Sequence, residues 1–146
     1  MDEIVEYDKL KTQVLKYVLY KKRSEAEIRQ KFSQNSGEML DEVIEYLKEN
    51  EYINDNLYIE KSVSEFIRLK NMSIKEIEYK LLSKGIRKSQ IDNYICENKE
   101  ALLEYEMNSA RIIFLKKQTT MEKDDIILYL KKKGYLNEII SSMDEE

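Results

Sequence analysis

The side chains of this sequence that could bind a partner or do chemistry are mainly charged ones, and the basic charges are clustered. Residues 68–88 contain seven basic and two acidic residues, and residues 111–133 contain seven basic and three acidic ones. By contrast, residues 38–60 contain eight acidic residues and one lysine. Such a bipolar surface can present a basic strip to acidic protein loops or DNA phosphates, and an acidic strip to basic partners.

We predict that the partner-binding residues lie in the first basic cluster. Six cations there are the candidates: Arg68, Lys70, Lys80, Lys84, Arg87 and Lys88. The alternative interpretation is an ordinary solvated helical surface, because lysine is favoured near helix C-termini by the helix dipole. The lysine run 131–133 before Gly134 fits this alternative. The sequence leaves both interpretations open for the strip as a whole.

The other residue types give little support to catalysis. The chain has no His, which excludes His-dependent nucleophilic catalysis and His-ligated metal sites. Cys96 is the only cysteine, so an intrachain disulfide and a Cys-based zinc cluster are excluded. Among 29 acidic residues some lie three or four apart by chance, so their spacing predicts neither an acid–base pair nor a Mg²⁺ site. We expect no catalytic, cofactor-binding or metal-binding residues and no enzyme activity.

The composition predicts that helices position these charges. The 146 residues include no Pro and three Gly, while 42% are apolar. A chain so poor in helix breakers favours an all-α protein. No run approaches the roughly 18 apolar residues of a membrane span, and the acidic N-terminal sequence is unlike a secretory signal. We therefore expect a cytoplasmic protein that does not enter a membrane.

An internal repeat of 49 residues divides the predicted helices into threes. Ser24 and Ser73 each begin a Ser-x-x-Glu pattern before an apolar position, which is typical of a helix-opening capping box. A further 49 residues along stands Glu122, and Thr119 with Glu122 predicts a similar opening three residues earlier. Apolar positions keep the same step, among them Ile28, Ile77 and Ile126, and also Val14, Val63 and Ile112.

All three glycines follow the second helix of a unit, at Gly37, Gly85 and Gly134. Glycine is favoured just past a helix end because φ often turns positive there. A unit of this size is near the lower limit for burying a sufficient core alone. We therefore predict three tandem three-helix repeats, residues 1–51, 52–99 and 100–146, which stack into one elongated, curved array.

The same segments resemble the RecX family, regulators of the bacterial RecA recombinase. Residues 20–32 resemble the family's first-repeat segment, and residues 47–55 resemble its junction between repeats. Residues 73–86, which include Lys75-Glu76-Ile77, resemble its central Lys-Glu-Ile…Leu…Lys-Gly-Ile pattern, and residues 129–135 its C-terminal repeat. The sequence departs from the family pattern at Glu51, where Gly is common, and in the acidic segment 98–106.

The resemblance implies a non-enzymatic regulator without a cofactor. Proteins of this family are understood to lie in the helical groove of the recombinase–DNA filament, where they limit filament growth or promote its loss. The resemblance thus implies a RecA-type filament as the partner and restraint of recombination and the SOS response as the function. It leaves direct contact with DNA open, and we expect a monomer.

Two other functions are compatible with the sequence. The predicted helix pair 73–82 and 88–97 could mimic a helix-turn-helix, which would make the chain a direct DNA-binding protein. The second of these helices has few basic or amide side chains, and the net charge of −4 disfavours binding by bulk charge. The third function is that of a helical scaffold for some other protein.

Overall fold

The computed structural model describes residues 2–35 and 37–144, and over these residues the chain is all helical. Nine helices follow one another without any strand in the described ranges: α1 (Glu3–Tyr20), α2 (Glu25–Lys31), α3 (Gly37–Glu49), α4 (Asp55–Leu69), α5 (Ile74–Ser83), α6 (Lys88–Glu97), α7 (Lys99–Lys117), α8 (Lys123–Lys133) and α9 (Asn137–Asp144). The prediction of an all-α fold is confirmed. None of these helices is long and apolar enough to cross a lipid bilayer.

Two of the helix starts are the predicted capping boxes. The Ser24 hydroxyl accepts from the Glu27 amide while the Glu27 carboxylate accepts from the Ser24 amide, and Ser73 and Glu76 repeat this arrangement. The predicted opening of the third unit is wrong. Helix α8 has Glu122 as its N-cap without a side-chain cap bond, and the Thr119 hydroxyl donates to the Lys116 carbonyl instead.

Buried apolar side chains form three clusters in chain order. The first joins helices α1–α3, and its buried members are Leu10, Val14, Val18, Ile28, Leu40, Val43, Ile44, Leu47 and Ile53. The second joins helices α4–α6 to the start of α7, through Tyr58, Ile59, Val63, Met72, Ile77, Leu81, Ile86, Ile91, Leu102 and Tyr105. The third joins the rest of α7 to α8 and α9, through Ala110, Ile113, Ile126, Leu130, Tyr135, Ile139 and Ile140.

These clusters agree with the helical spacing from which the core was predicted. The clusters do not end at the predicted unit limits, because Ile53 packs in the first cluster and Leu102 in the second. The limits 1–51, 52–99 and 100–146 and the curvature of the array stay predictions. Met1, Glu145 and Glu146 at their ends lie outside the described residues.

The three glycines differ in their structural roles. Gly85 and Gly134 follow α5 and α8 with φ of +81° and +95°, as expected for left-handed residues at helix ends. The prediction is wrong for Gly37, which is the first residue of α3 and has no positive φ. Helix α2 ends through Phe32 at φ −107°, so the chain leaves this helix without the left-handed turn that favours glycine.

The second helices of the three groups are arranged end to end through two equivalent joints. In joint 1, the Ser24 hydroxyl at the N-cap of α2 donates to the Lys84 carbonyl oxygen at the end of α5, at 2.6 Å. In joint 2, the Ser73 hydroxyl at the N-cap of α5 donates to the Lys133 carbonyl oxygen at the end of α8, also at 2.6 Å. Each joint therefore sets a positive helix N-terminus against a negative helix C-terminus, which is the favourable alignment of dipoles.

Candidate partner-binding surface

The six predicted binding residues are all exposed and lie on α4, on α5 and at the start of α6. Arg68 is in the last turn of α4, and Lys70 caps this helix in a left-handed conformation at φ 53°. The Lys80 ammonium on α5 lies 5.9 Å from the centre of the Phe66 ring on α4. Lys80 and Lys84 are four residues apart along α5 and its cap, so they extend the basic surface from α4 toward joint 1.

The remaining two residues stand where the chain enters α6. Arg87 is the N-cap residue of this helix and Lys88 is its first residue. Lys88 forms an ion pair with Asp92, its Nζ lying 3.1 Å from Oδ1. Within the described ranges no carboxylate lies within 4 Å of the other five cations, so they can meet an acidic partner without first losing an internal ion pair. Their role in binding stays a prediction.

Joint 1 contains a polar cleft of about 560 Å³, and Arg87 forms part of its wall. An Asp55 carboxylate oxygen accepts from the Glu25 amide at 3.0 Å, which caps the start of α2. Partial burial raises the pKa of Asp55, with the nearby Glu25 charge adding to the effect. Glu25 itself pairs with Lys48 and Arg29; burial opposes its ionisation, but these two hydrogen-bonded cations outweigh burial and lower its pKa.

The polar groups of this cleft make structural contacts between helices. No group of three acidic, His or Cys side chains suited to hold a metal ion occurs in residues 2–35 and 37–144. The ion pairs of the cleft, Glu25 with Lys48 and with Arg29, lie within the first group of helices, and the bonds that cross to the second group are those from the Glu25 amide to Asp55 and from Ser24 to the Lys84 carbonyl. The cleft therefore fixes how the first group of helices meets the second, and with it the position of Arg87 and of the Lys84 backbone.

Joint 2 depends on Glu106, which the sequence prediction did not include. The Glu106 carboxylate is fully buried and accepts from the Ile74 amide at 2.8 Å and from the Leu136 amide at 3.4 Å. Burial raises the pKa of Glu106, although both backbone amides favour its charged form. It thus caps α5 as Asp55 caps α2. The sequence signal that could have identified Glu106 is an acidic residue among the apolar positions of α7. Glu106 stands 51 residues after Asp55, however, which is two residues more than the repeat of 49.

A second set of hydrogen bonds fixes α7 against the end of α4. The Tyr105 hydroxyl donates to the Met72 carbonyl at 2.6 Å, and the Ser109 hydroxyl donates to the Lys70 carbonyl at 3.0 Å. Ser109 also shares a 2.6 Å hydrogen bond with the Tyr135 hydroxyl. The backbone of Lys70, one of the predicted binding residues, is therefore held by the third group of helices while its side chain faces solvent.

Comparison with curated proteins identifies relatives that carry the name Regulatory protein RecX. The chain is 30% identical to the protein of Lactococcus lactis subsp. lactis (strain IL1403) over 153 residues, which covers 97% of this chain and 57% of that protein. It is 27% identical to the protein of Staphylococcus carnosus (strain TM300), covering 100% of this chain and 59% of that protein. No protein-family model matches the chain.

Two crystal structures share the fold. RecX from Lactobacillus salivarius superposes with a TM-score of 0.82 and 20% identity, covering 97% of this chain and 96% of that one. A second structure of regulatory protein RecX gives a TM-score of 0.79 and 22% identity, covering 100% and 80%. The chain is related to the RecX proteins. The resemblance carried by segments such as 20–32 and 73–86 is confirmed, and the chain spans a little over half the length of the curated RecX proteins that it matches.

Proposed function

We propose that this chain is a non-enzymatic regulator that binds RecA-type recombinase filaments on DNA and thereby restrains recombination and the SOS response. One observation carries the proposal: nearly the whole chain resembles proteins named Regulatory protein RecX in sequence, and the same fold is found in RecX crystal structures. The proposed mechanism is steric and electrostatic competition within the filament groove. The chain acts in this proposal as a cytoplasmic monomer.

The surface geometry supports binding by charge complementarity. Five of the six predicted residues have exposed cationic groups without an ion pair among the described residues. Joint 1 holds the backbone of Lys84, and Ser109 on α7 holds the backbone of Lys70. A partner with acidic groups at matching positions gains favourable interactions and faster association, which salt weakens. A regulator of this kind needs no catalytic residue, because occupation of the groove is itself the inhibitory act.

The direct test uses purified chain, a RecA-type recombinase and single-stranded DNA. We expect the chain to co-sediment with preformed filaments and to slow both ATP hydrolysis and strand exchange. Absence of binding and of inhibition at several-fold excess over filament sites would refute the proposal. The DNA-binding alternative predicts instead that the chain binds bare DNA equally well and loses affinity steeply with added salt.

A charge-reversal variant tests the predicted site itself. The variant changes three unpaired cations around the end of α5: Lys80→Glu, Lys84→Glu and Arg87→Glu. The control changes two exposed lysines distant in sequence from this cluster: Lys9→Glu and Lys99→Glu. We expect filament binding to fall at least tenfold for the first variant and less than twofold for the control, with unchanged helicity. Equal binding of both variants would place the site elsewhere.

A further inference from the structure

A cation and an aromatic ring meet at the same place in the first and second groups of helices. The Lys31 ammonium on α2 lies 6.0 Å from the centre of the Tyr17 ring on α1. The Lys80 ammonium on α5 lies 5.9 Å from the centre of the Phe66 ring on α4. Both the lysines and the rings are 49 residues apart, so the pairs are equivalent under the sequence repeat. In each pair the first helix supplies the ring and the second helix a cation, and in the first group the Arg23 guanidinium between the two helices lies closer to the same ring, at 4.1 Å.

The third group also has a cation beside a ring, but at different positions of the repeat. Position 115, equivalent to Phe66, is a leucine, and position 129, equivalent to Lys80, is a tyrosine. The Lys117 ammonium on α7, at the position equivalent to Arg68, lies 4.2 Å from the centre of the Tyr129 ring on α8, and the Lys133 ammonium of α8 itself lies 5.7 Å from it. The feature common to all three groups is therefore a cationic group beside an aromatic ring of the first or second helix.

Each of these surfaces also exposes a large apolar side chain at the end of the first helix. Tyr20 at the end of α1 is 86% exposed, Leu69 at the end of α4 is 66% exposed, and Leu115 in the last turn of α7 is 64% exposed. Tyr20 and Leu69 are 49 residues apart and are equivalent under the repeat, whereas Leu115 stands at the position of Phe66. Exposed apolar groups next to polar groups are typical of protein interaction sites. A structural role in the core does not account for them, because they face solvent.

The chain segments that contain these helix ends carry basic but no acidic residues. No acidic residue occurs in residues 9–24, 66–75 or 107–121, although the whole chain contains 29 acids. The cations that flank the apolar side chains are Lys21, Lys22 and Arg23 in the first group, Arg68 and Lys70 in the second, and Lys116 and Lys117 in the third. Each group of helices therefore presents one patch of two or three cations, one aromatic ring and one exposed apolar side chain.

We propose that these three patches together form one docking surface, here called the three-patch stripe, for an acidic protein surface that repeats along its length. The inference rests on the proposed function and deepens it, because the successive subunits of a filament repeat the same surface. Joints with the same 2.6 Å serine bond relate the three groups, so their patches follow one another in chain order. The stripe includes Arg68, Lys70 and Lys80 but extends the binding surface into the first and third groups.

Charge and shape favour a protein over a nucleic acid as the occupant. Single-stranded nucleic acid is bound by cations for its phosphates and aromatic rings for its bases. The aliphatic side chains of Leu69 and Leu115 offer neither, whereas they can pack against apolar groups on a protein. When the partner surface repeats, three patches on one chain can bind it at the same time. Their combined affinity is then much higher than that of a single patch, because binding of one patch raises the effective concentration of the next.

The test reverses one charge in each patch, singly and together. The stripe variants are Lys22→Glu, Arg68→Glu and Lys116→Glu, and the controls are the exposed Lys9→Glu and Lys99→Glu. We expect each stripe variant to weaken co-sedimentation with filaments about fivefold and the triple variant about a hundredfold, while each control changes it less than twofold. Circular dichroism and the denaturation midpoint establish that the variants remain folded.

A second variant separates the apolar contribution from the charge. The double change Leu69→Ala and Leu115→Ala removes exposed apolar groups without altering charge, and we expect about tenfold weaker filament binding that persists at high salt. Binding to bare single-stranded DNA should not change in this variant. If the triple charge variant loses bare DNA and filament binding equally, the occupant is nucleic acid and the inference fails. If wild type binds filaments and the triple variant binds as well as the controls, the inference fails while the proposed function stands. If wild type does not bind filaments, the proposed function fails first.

Discussion

Replacement of Gly85 by alanine tests the joint between α2 and α5 most directly. Gly85 has φ +81°, and a Cβ added there would lie 2.2 Å from the Cβ of Ala26. Neither carbon belongs to a long side chain that can rotate away. Helices α2 and α5 would have to separate by more than an ångström before the two carbons reached ordinary contact distance, about 3.5–4.0 Å. The substitution therefore acts as a wedge at joint 1.

We expect Gly85→Ala to lower the free energy of unfolding by about 2–3 kcal/mol. A left-handed backbone conformation costs a non-glycine residue about 1–2 kcal/mol. Separation of the helices also breaks the 2.6 Å bond from Ser24 to the Lys84 carbonyl, which contributes about 0.5–1.5 kcal/mol. A smaller loss, about 1–2 kcal/mol, is expected for Gly134→Ala, where φ is +95° but the nearest atom, the Lys75 Cβ, lies 2.9 Å from the added carbon.

Gly37→Ala is the matched control, because nothing lies within 4 Å of its added Cβ and it starts a helix without a positive φ. It should be neutral or stabilise by up to about 1 kcal/mol, since alanine is the better helix former. Urea denaturation followed by circular dichroism measures all three variants. Ala26→Gly removes the opposing carbon, so the pair Gly85→Ala with Ala26→Gly should be more stable than the sum of the single changes predicts.

The reasoning is refuted if Gly85→Ala and Gly37→Ala have equal effects, or if Ala26→Gly gives Gly85→Ala no relief. The first result would mean that joint 1 is not formed as described in solution. The second would assign the whole loss to the left-handed backbone and none to contact between α2 and α5. A fall in the denaturant slope together with the midpoint would instead indicate that the three groups no longer unfold as one unit.

Three further predictions concern single side chains. Glu106→Gln should destabilise the fold by about 1–3 kcal/mol, because an amide has one acceptor oxygen for the two backbone amides that the carboxylate now serves. Since burial raises the folded pKa of Glu106, its contribution to stability is fully present below the unfolded pKa and is lost as pH rises through the folded value. Urea denaturation between pH 4 and 7 should therefore show a smaller loss of stability with rising pH in the variant than in wild type, with Asp55 contributing in both. Ser73→Ala removes both a helix cap and the joint 2 bond and should cost about 1–2 kcal/mol, measured in the same way. Burial, with Glu27 nearby, raises the pKa of Tyr58 to about 12. The contribution of this tyrosine to stability is therefore present below pH 10 and is lost as the pH rises from 10 through about 12. An ultraviolet titration of Tyr58→Phe should lack one tyrosine that ionises late.

Helical spacing predicted much of the fold because each helix buries a regular apolar face. Val14, Val63, Ile28, Ile77 and Ile126 were expected inside and are buried. Ile112, expected at the position equivalent to Val14 and Val63, is only half-buried, and Ile113 takes the place in the third core cluster. Local rules failed where the structure breaks the repeat. Glycine composition alone could not separate Gly37 from the other two glycines, since the difference depends on how α2 ends. The Ser/Thr-x-x-Glu spacing also misplaced the start of α8, whose N-terminus carries no side-chain cap.

The contacts between groups were harder to predict, because they depend on residues that are distant in sequence. The serine caps were predicted from their local pattern, but their second bond, to a carbonyl 60 residues away, has no local signature. Glu106 was missed because its counterpart, Asp55, lies two residues out of step with the repeat. The third patch is hidden likewise from any comparison of residue types at equivalent positions, because its ring, Tyr129, stands at the position of Lys80 and its cation, Lys117, at that of Arg68.

The two joints share a serine and a glycine but are filled differently. Joint 2 encloses the fully buried Glu106, and the second core cluster extends into α7 through Leu102 and Tyr105. Joint 1 has a polar cleft in which Asp55 is only partly buried, and the ion pair of Glu25 with Lys48 beside it lies within the first group. At joint 2 an ion pair crosses between groups, from Lys133 on α8 to Glu76 on α5 at 3.2 Å. Because a shared apolar core and this ion pair connect the second and third groups, these two groups form the firmer pair. Their two patches are then held at a fixed spacing, while the polar joint allows the first patch to adjust to its partner at the smallest loss of buried contacts.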